Sequence, residues 1–430
     1  MKPPLKIAIA GLGTVGAGVL NLLAANRDLI AKRCGRPIQV TAVSARSRAK
    51  ERGVPLDGLA WFDDPAAMAA EADADAVVEL IGGADGIARK TIMAAISRSR
   101  HVVTANKALL AVHGTPLARA AEERGVTLAY EAAVAGGIPV IKALREGVAA
   151  NRITRVYGIL NGTCNYILTM MRQTGRPFAD VLADAQRLGY AEADPAFDVD
   201  GIDAAHKLSI LAGLAFGSEV NFPAVHIEGI RHVDAMDMEY AGTLGYRIKL
   251  FGIARLTELG LEQRVHPCMV PIDSPIAHVD DVFNAVVVEG DFVGSTVYEG
   301  RGAGAGPTAS AVVADLMDLA AGRSAYTFGV PAPSLASLPV SPMERHRGAY
   351  YVRLMVTDRP GVIADVTAVL RDENVSLESM LQRGRQPGEM VPVVLVTHET
   401  EEEAMVRALR RIEKLSTVLQ PPRMIRIEQF

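Results

Sequence analysis

Several residue types are scarce in this chain, and each scarcity excludes a class of protein. Three cysteines occur among 430 residues, and Cys34, Cys164 and Cys268 stand far apart. An odd number of distant cysteines offers neither a disulfide framework nor a CxxC metal site, which favours a reducing, cytoplasmic environment. No targeting signal is recognised, and no apolar run approaches the roughly 20 residues that span a bilayer.

Tryptophan and basic blocks are also scarce. Trp occurs once, the net charge is −4, and no segment rich in Lys and Arg is present. These features argue against binding to nucleic acid or to a membrane surface, and they favour small polar ligands. The length predicts two or three domains with ample core.

Glycines near the N-terminus form the first motif. The apolar run 5–10 precedes Gly11-Leu-Gly-Thr-Val-Gly16, and an amphipathic segment follows to about residue 33. A GxGxxG sequence between a strand and a helix is typical of dinucleotide binding, the alternative being a glycine-rich turn without a ligand. Further buried strands at 38–43, 76–81, 101–104 and 126–131 predict an α/β fold with a doubly wound, parallel Rossmann sheet over residues 1–137.

The end of the second predicted strand bears on the choice of cofactor. Arg46, Arg48 and Lys50 follow it, and the acidic residue that would accept a ribose 2′-hydroxyl is missing. Basic side chains at this point favour a 2′-phosphate, so NADP is preferred to NAD. The alternative is a solvated basic loop.

The remainder of the chain shows three further regions. Consecutive strands and helices over 138–330 predict an α+β substrate and dimerisation domain whose glycine-rich segment 298–307 opens a helix at 308–321 that returns to the first unit. That segment is alternatively a hinge. Four prolines within 331–346 indicate a linker over 331–348. The pattern βαββαβ over 349–430 predicts a ferredoxin-like domain.

An acidic segment ending at a lysine is the strongest candidate for a polar site. Glu192, Asp194, Asp198, Asp200 and Asp203 lead to Lys207. In a helix over 201–217, the i and i+4 positions of Asp203 and Lys207 share the face that points inward, leaving the opposite face to water. We expect that water-facing side to carry Ala205, His206, Ser209 and Gly213. The alternative is a helix start decorated with acids and one structural ion pair.

Five motifs in order resemble homoserine dehydrogenases that carry a C-terminal ACT domain. They are GLGTVG at 11–16, TANKALLA at 104–111, NGTCNYIL at 161–168, the segment 189–211, and GRGAGAGPTASAVVADL at 300–316. The resemblance implies reduction of L-aspartate 4-semialdehyde to L-homoserine with NAD(P)H, on the route to threonine, methionine and isoleucine. It also implies a homodimer or homotetramer, and threonine as an effector at the interface between paired ACT modules. The alternative for the ACT region is oligomerisation without a ligand.

The resemblance also assigns roles to residues. It implies Lys207 as the proton donor and Lys107 as a second active-site lysine. The substrate-binding candidates are Glu192, Asp203, Asp198, Tyr190 and Thr163. The cofactor-binding candidates are Gly11, Gly13, Thr14, Val15, Gly16, Arg46, Thr104, Lys107, Gly189 and Gly302. A monovalent cation, usually sodium, is expected at Glu131, Val134, Gly136 and Ile138, largely on backbone carbonyls.

The expected chemistry agrees with these roles. Hydride addition to an aldehyde places negative charge on oxygen, which a nearby ammonium stabilises or protonates. We expect the surrounding acids to favour the charged form of Lys207, but the sequence does not divide the work between Lys207 and Lys107. Side-chain ligands are too few for a divalent metal, and no cluster of His and Cys is expected. The competing readings are another NADP-dependent dehydrogenase and a sensor that has lost catalysis.

Overall fold

The N-terminal unit is a parallel sheet with helices on both faces. The computed structural model describes residues 2–383 and 388–430. The strands of this sheet are β1 (Leu5–Ala10), β2 (Ile38–Ser44), β3 (Ala60–Phe62), β4 (Ala76–Glu79), β5 (His101–Thr104) and β6 (Leu128–Ala129). The helices are α1 (Thr14–Ala25), α2 (Arg27–Cys34), α3 (Pro65–Glu71), α4 (Ile87–Ser97) and α5 (Lys107–Glu123). The order β3-β2-β1-β4-β5-β6 confirms the predicted Rossmann fold and places the carboxyl ends of β1 and β4 beside each other.

The second unit is built on antiparallel strands. Its elements up to the first long helix are α6 (Val140–Lys142), β7 (Ile153–Ile159), α7 (Gly162–Thr174), α8 (Phe178–Arg187), α9 (Ala196–Val199) and α10 (Ile202–Phe216). The elements after it are β8 (His226–Ile227), α11 (Ala235–Thr243), β9 (Tyr246–Thr257), β10 (Gly260–Pro271), β11 (Phe283–Gly290), β12 (Gly294–Arg301) and α12 (Ala305–Ala321). Helix α12 packs against α1, where Val312 and Leu316 share a core with Val19 and Leu23. The end of the second unit therefore completes the core of the first.

The third unit has the predicted ferredoxin-like order. Its elements are β13 (Arg347–Thr357), α13 (Val362–Asp372), β14 (Leu377–Gln382), β15 (Met390–Thr397), the short β16 (Thr400–Glu401), α14 (Glu402–Ile412) and β17 (Arg423–Ile427). The strand order β17-β13-β15-β14 is that of the βαββαβ arrangement.

The second and third units share one sheet, which the strand pattern did not predict. Strand β17 pairs with β10 in parallel, with Arg426 opposite Cys268 and Ile427 opposite Met269. The result is a continuous sheet of 11 strands. The sequence of a segment predicts that the segment is a strand, but it does not predict which strand pairs with it, because tertiary packing sets the pairing partners.

The proline-rich segment predicted as a linker lies along the second unit. Ala336 forms a parallel bridge with Ser218, and Val340 forms one with Leu261. Just before it, Phe328 is fully buried and its ring packs against Tyr130. The segment therefore connects the units without being a free tether.

Helix α10 is buried on all sides, so the predicted water-facing side is wrong. Every residue from Asp203 to Leu214 is buried, including Ala205, His206, Ser209 and Gly213. The helix lies between α5 on one side and the strands β7, β9 and β10 on the other. Helix α5 belongs to the first unit, and the residue pattern of α10 itself could not predict that α5 would pack on it. None of the helices in the described part of the chain combines the length and apolarity needed to cross a membrane.

Candidate active site

Two lysines from different units converge on one carboxylate. Lys207 of α10 donates from Nζ to Asp203 Oδ2 at 2.7 Å, one helical turn away. Lys107 begins α5, directly after β5, and its Nζ lies 2.9 Å from Asp203 Oδ1. Because α5 packs on α10, the carboxyl end of the parallel sheet brings Lys107 to the acidic segment.

Asn161 and the carbonyl of Leu160 complete this cluster. The Asn161 amide donates to Asp203 Oδ2 and to Asp198 Oδ1, both at 2.8 Å. Its side-chain oxygen also accepts from the Cys164 amide, so Asn161 caps α7. Lys207 Nζ donates a second hydrogen bond, of 2.7 Å, to Leu160 O. The predicted residues Lys107, Asp198, Asp203 and Lys207 thus lie within one hydrogen-bonded network.

The pKa values of the two lysines are shifted in opposite directions, although both lysines contact Asp203. Burial lowers the pKa of Lys207 below its ordinary 10.5. Asp203 and Asp198 favour the charged form of Lys207, as expected, but burial outweighs them. Burial also acts on Lys107, but there the charge and hydrogen bond of Asp203 prevail and the pKa is raised. Burial would raise the pKa of Asp203, yet the two ammonium groups hold it well below its usual range.

The remaining substrate candidates differ in their surroundings. Burial raises the pKa of Asp198. Glu192 is exposed, and its charge contributes to the raised pKa of Lys107. The Thr163 hydroxyl donates to Tyr190 O at 2.7 Å, and the Tyr190 ring packs edge-on against Tyr166. Thr163 and Tyr190 are therefore joined to each other, whereas Glu192 stands apart from the hydrogen-bonded network.

An aromatic side chain that the sequence did not single out contacts the second lysine. Lys107 Nζ lies 5.8 Å from the centre of the Phe197 ring. The Phe197 ring also packs against His206, whose ring packs on Phe222. Such contacts hold an ammonium over an aromatic face while leaving it open to a ligand.

The glycine motif has the shape that a dinucleotide requires. Gly11 has φ +101°, and a Cβ there would come within 2.5 Å of Leu80 O. A Cβ on Gly16 would lie 2.1 Å from Gly11 O, so helix and turn pack without a side chain between them. Gly13 precedes α1 and faces open space, which leaves the amides of Thr14 and Val15 accessible at the helix start. A pyrophosphate fits this cradle.

The cavity beside the glycine motif extends to the basic loop. It has a volume of about 680 Å³ and is lined by Gly11 and Gly13 together with Arg46 and Lys50. Arg48 instead lies over the Trp61 ring, 5.9 Å from its centre. Two of the three predicted basic residues therefore line the cavity.

Thr104 stands at the junction between this cavity and the lysines. Its hydroxyl donates to Glu79 Oε2 at 2.6 Å, and the other Glu79 oxygen accepts from the amides of Ile81 and Gly82. Asn106, which caps α5 through Leu109 N, also donates to Gly83 O. These bonds tie the ends of β4 and β5 together and thereby orient the start of α5, which carries Lys107.

The predicted cation loop packs against the second glycine-rich segment. Ala135 and Gly136 have φ of +56° and +52°, and a Cβ on Gly136 would lie 2.4 Å from Gly302 O. The Glu131 carboxylate accepts from the amides of Ile141 and Lys142 at 3.0 and 2.8 Å, which fixes its orientation beside this loop. Burial raises the pKa of Glu131 to about 7.

The other loop candidates are placed as follows. Val134 and Ile138 are buried next to this loop, and Gly300 adjoins the Ile138 side chain. Gly302 packs against Asn284, which a Cβ would contact at 2.2 Å. Gly189 is exposed with φ +76° and has open space in front of its Cα. The three segments around 136, 189 and 302 therefore each present backbone rather than side chains.

One grouping of metal-binding residue types was not foreseen. His266, Cys268 and Glu428 lie together and are buried, which corrects the expectation that the chain contains no cluster of His and Cys. Glu428 is more than 150 positions away from the other two, so their proximity depends on the pairing of β10 with β17. Arg264 contacts two members of the group, His266 and Glu428. A cation already in place leaves no need for a metal ion there.

Sequence reasoning missed Asn161, the Leu160 carbonyl and Phe197 as members of the site. A signal existed for Asn161, since Asn before Gly-Thr-Cys after a strand is typical of a helix cap at a strand end. The carbonyl of Leu160 carries no signal in the sequence, because any residue type supplies one.

A dinucleotide cradle at the carboxyl end of a parallel sheet, facing lysines paired with a buried carboxylate, defines an NAD(P)-dependent oxidoreductase. The "Homoserine dehydrogenase, NAD binding domain" family matches residues 11–131, the "Homoserine dehydrogenase" family matches residues 139–317, and the ACT domain family matches residues 350–414. This chain belongs to the homoserine dehydrogenase family.

Relatives of full length support the same assignment. The homoserine dehydrogenase of Pseudomonas aeruginosa is 48% identical over 436 residues, covering 99% of both chains. That of Neisseria gonorrhoeae is 47% identical and also covers 99% of each chain. The crystal structure of a homoserine dehydrogenase from Thiobacillus denitrificans has a TM-score of 0.93 at 47% identity, covering 100% of this chain and 99% of that one.

Proposed function

We propose that this chain catalyses the reversible, NAD(P)H-dependent reduction of L-aspartate 4-semialdehyde to L-homoserine, a step towards threonine, methionine and isoleucine. The observation that carries the proposal is the pair of lysines on Asp203, next to the dinucleotide cradle. An aldehyde that becomes an alcohol needs a hydride at carbon and a proton at oxygen. The bound dinucleotide supplies the hydride, and the lysine cluster supplies the proton.

We assign the proton to Lys207 Nζ and the electrostatic role to Lys107. As hydride adds to the carbonyl carbon, the π electrons move to oxygen, and the oxygen takes a proton from the Lys207 ammonium. A lowered pKa makes Lys207 the better acid, whereas the raised pKa of Lys107 keeps it charged to stabilise the oxygen. Neutral Lys207 then regains a proton from water.

We propose that the amino-acid end of the substrate is held by the acids around Lys107. Asp203 already serves two lysines, so the substrate ammonium is better matched by Glu192 and Asp198. Tyr190 and Thr163, which are hydrogen-bonded to each other, are the further proposed substrate contacts. Asn161 acts as a positioning residue, because it holds Asp198 and Asp203 in one orientation.

For the cofactor we propose NADP(H) in preference to NAD(H). Arg46 and Lys50 line the cavity that begins at Gly11 and Gly13, and they place positive charge where a 2′-phosphate would lie. Thr104, Gly189 and Gly302 complete the proposed cofactor contacts. A monovalent cation on the carbonyls of Glu131, Val134, Gly136 and Ile138 remains part of the proposal, and the turn at Ala135 and Gly136 supports it.

Regulation and assembly complete the proposal. The match of residues 350–414 to the ACT domain family supports feedback by an amino acid, threonine being the expected effector. We also propose a homodimer or homotetramer, and domains at 1–137, 138–330 and 349–430 joined by the segment 331–348. Deletion of 349–430 does not test the regulation cleanly, because it removes β17 from β10 and leaves Arg264 without Glu428.

Absorbance at the nicotinamide band tests the central reaction. We expect loss of NADPH when the full-length protein is mixed with L-aspartate 4-semialdehyde, and slower loss with NADH. In Arg46→Ser the preference for NADPH should fall by about tenfold, since a charge-assisted contact to phosphate is lost. Arg48→Ser is the matched control, because Arg48 follows the same strand but does not line the cavity. No absorbance change with either nucleotide would overturn the proposed function.

A further inference from the structure

Asn284 of β11 is a buried polar side chain next to two segments of the candidate active site. Its side chain and backbone together are 1% exposed. Gly302, one of the proposed cofactor contacts, packs directly on it, since a Cβ on Gly302 would come within 2.2 Å of the Asn284 amide. Gly162 adjoins it as well, and a Cβ there would lie 3.4 Å from Asn284 Oδ1. Because Gly162 begins α7, Asn284 lies between a cofactor contact and the helix that Asn161 caps.

The side-chain amide of Asn284 lacks hydrogen-bond partners. Neither Nδ2 nor Oδ1 forms a hydrogen bond with any residue in the described ranges 2–383 and 388–430, and both atoms are closed off from solvent. A primary amide offers two donors and an acceptor oxygen. Leaving such a group buried and unpaired costs free energy, and a closed-off amide has no room beside it for a bridging water. The amide is therefore satisfied only if neighbouring groups move.

Another buried asparagine of the same unit does not share this feature. Asn165 on α7 is also 1% exposed. Its Nδ2 donates to Val279 O at 3.0 Å and to Phe283 O at 3.1 Å, and its Oδ1 accepts from Lys249 Nζ at 3.1 Å. Every polar atom of that amide has a partner. The unpaired amide of Asn284 is therefore particular to its position and is not a general property of buried asparagines in this unit.

The backbone beside Asn284 is a crossing between the first two units. Residues 301–304, called the Gly302 segment below, connect β12 of the second unit with α12, which packs on α1 of the first. Arg301 O accepts from Gly137 N at 3.0 Å. A Cβ on Gly136 would lie 2.4 Å from Gly302 O. The two crossings of the chain between these units therefore lie against each other, so a shift of the first unit relative to the second displaces the Gly302 segment.

The Gly302 segment also packs on the helix that starts at the dinucleotide cradle. It leads into Ala305 at the start of α12, and a Cβ on Gly18 of α1 would come within 2.8 Å of Ala305 O. Helix α1 begins directly after Gly13, where a pyrophosphate fits. A nucleotide bound at the start of α1 therefore acts on the Gly302 segment through closely packed backbone.

We propose that Asn284 is a positioning residue for the cofactor: with NADPH bound, its amide forms hydrogen bonds with the backbone of the Gly302 segment and holds that segment against the nucleotide. The inference rests on the proposed cofactor contact at Gly302. The amide is unpaired in the free protein and paired in the complex, and this difference adds to the affinity for the nucleotide. Asn284 touches none of the reacting atoms in this role.

Nucleotide titration of Asn284→Leu in the full-length protein tests this role. Leucine keeps the branched shape of the side chain and removes the amide. We expect the Kd of NADPH, measured by its fluorescence, to rise about tenfold, which corresponds to the loss of two ordinary hydrogen bonds. The KM for NADPH should rise with it, while kcat at saturating NADPH stays within about twofold. The Tm of the nucleotide-free variant should stay level or rise, because a buried unpaired polar group has been removed.

A second variant and a control separate the amide from the packing around it. Asn284→Ala excludes overpacking by the larger leucine and should show the same rise in the Kd of NADPH. Asn165→Leu is the matched control, since it removes a buried amide whose bonds are already made. It should lower the Tm of the nucleotide-free protein and leave the Kd of NADPH within about twofold of that of the unmodified chain.

Three results would contradict the proposal. An unchanged Kd of NADPH in both Asn284 variants would overturn the role of Asn284 and leave the proposed function standing. A fall of the nucleotide-free Tm in Asn284→Leu as large as that in Asn165→Leu would show a structural role for the amide and overturn the proposal in the same way. Absence of NADPH and NADH binding to the unmodified chain would overturn the cofactor contact at Gly302 and the proposed function together.

Discussion

Two clusters of buried charge in this protein follow different rules. At the junction of β10 with β17, Arg264 is 1% exposed in its side chain and donates to Glu262 and Glu428. The neighbouring charges hold the pKa of Glu262 and Glu428 below the usual range in spite of burial. Every charge there is matched by a partner of opposite sign, so the cluster has no capacity left for a ligand.

The active-site cluster is unbalanced by comparison. Two lysines share Asp203, one of them has a lowered pKa, and the pKa of the adjacent Asp198 is raised. Arginine keeps its proton at any ordinary pH, whereas a buried lysine changes its charge readily. The comparison teaches that burial of charge alone does not mark a site. What distinguishes the active-site cluster is that two lysines from different units share one carboxylate and that their pKa values are shifted in opposite directions.

The largest expected effect is that of a substitution in the active-site cluster. Lys207→Ala should lower kcat by about 10²–10⁴-fold, because it removes the proton donor, while the Kd of NADPH barely changes. Steady-state kinetics and nucleotide titration measure the two quantities. Near-normal turnover in this variant would remove Lys207 from the mechanism.

Lys249 supplies the matched control for Lys207. It is equally buried, its pKa is also lowered by burial, and it donates to Asp280 Oδ1 at 2.9 Å. Because Lys249 lies outside the Asp203 network, Lys249→Met should reduce the free energy of unfolding and leave kcat within about threefold of the unmodified chain. A fall of kcat as large as that in Lys207→Ala would show that any buried lysine has this effect.

The second-largest expected effect is that of a substitution in the cluster at the junction of β10 with β17. Arg264→Met leaves Glu262 and Glu428 buried with fewer partners, which should lower the free energy of unfolding by about 3–5 kcal/mol. Denaturation in urea followed by circular dichroism measures the loss. Adding Glu428→Leu to this variant should restore part of the stability, since it removes an unpaired charge. A loss below about 1 kcal/mol would mean that the cluster contributes little to the free energy of unfolding.

The smallest effect concerns the pH dependence of the reduction. A proton donor must be protonated, so kcat falls as pH rises through the pKa of the donor. With Lys207 as donor the midpoint of the fall lies below its ordinary pKa of 10.5, because its pKa is lowered. With Lys107 as donor the midpoint would lie above 10.5, because that pKa is raised. The position of this limb, measured at saturating NADPH, therefore identifies the lysine that gives the proton.

The sequence predicted the parts of the site that depend on short spacings. Asp203 and Lys207 are four residues apart on one helix, which brings them together wherever the helix lies. The glycine motif likewise predicted its own turn, since Gly11 needs a positive φ and Gly16 a close approach. Lys107 joined them only through the resemblance, because nothing in its local sequence points to Asp203.

The incorrect predictions concern residues that are buried by segments distant in the chain. The outer face of α10 was expected in water, but His206 and Ser209 are buried there, and the His206 ring packs on Phe197 and Phe222. That burial also lowers the pKa of Lys207, which the number of nearby acids had suggested would be raised. Desolvation depends on everything that surrounds a group, and the neighbours of Lys207 come from several parts of the chain.

By itself, the sequence of this homoserine dehydrogenase determined the three types of fold, the dinucleotide turn and the pairing of Asp203 with Lys207. All of these depend on backbone preferences and side-chain spacing over a few residues. The tertiary structure alone decided that β17 joins β10, that Glu428 lies beside Arg264, and that the pKa values of Lys107 and Lys207 are shifted in opposite directions. These properties depend on contacts between residues far apart in the chain, and on the water that those contacts exclude.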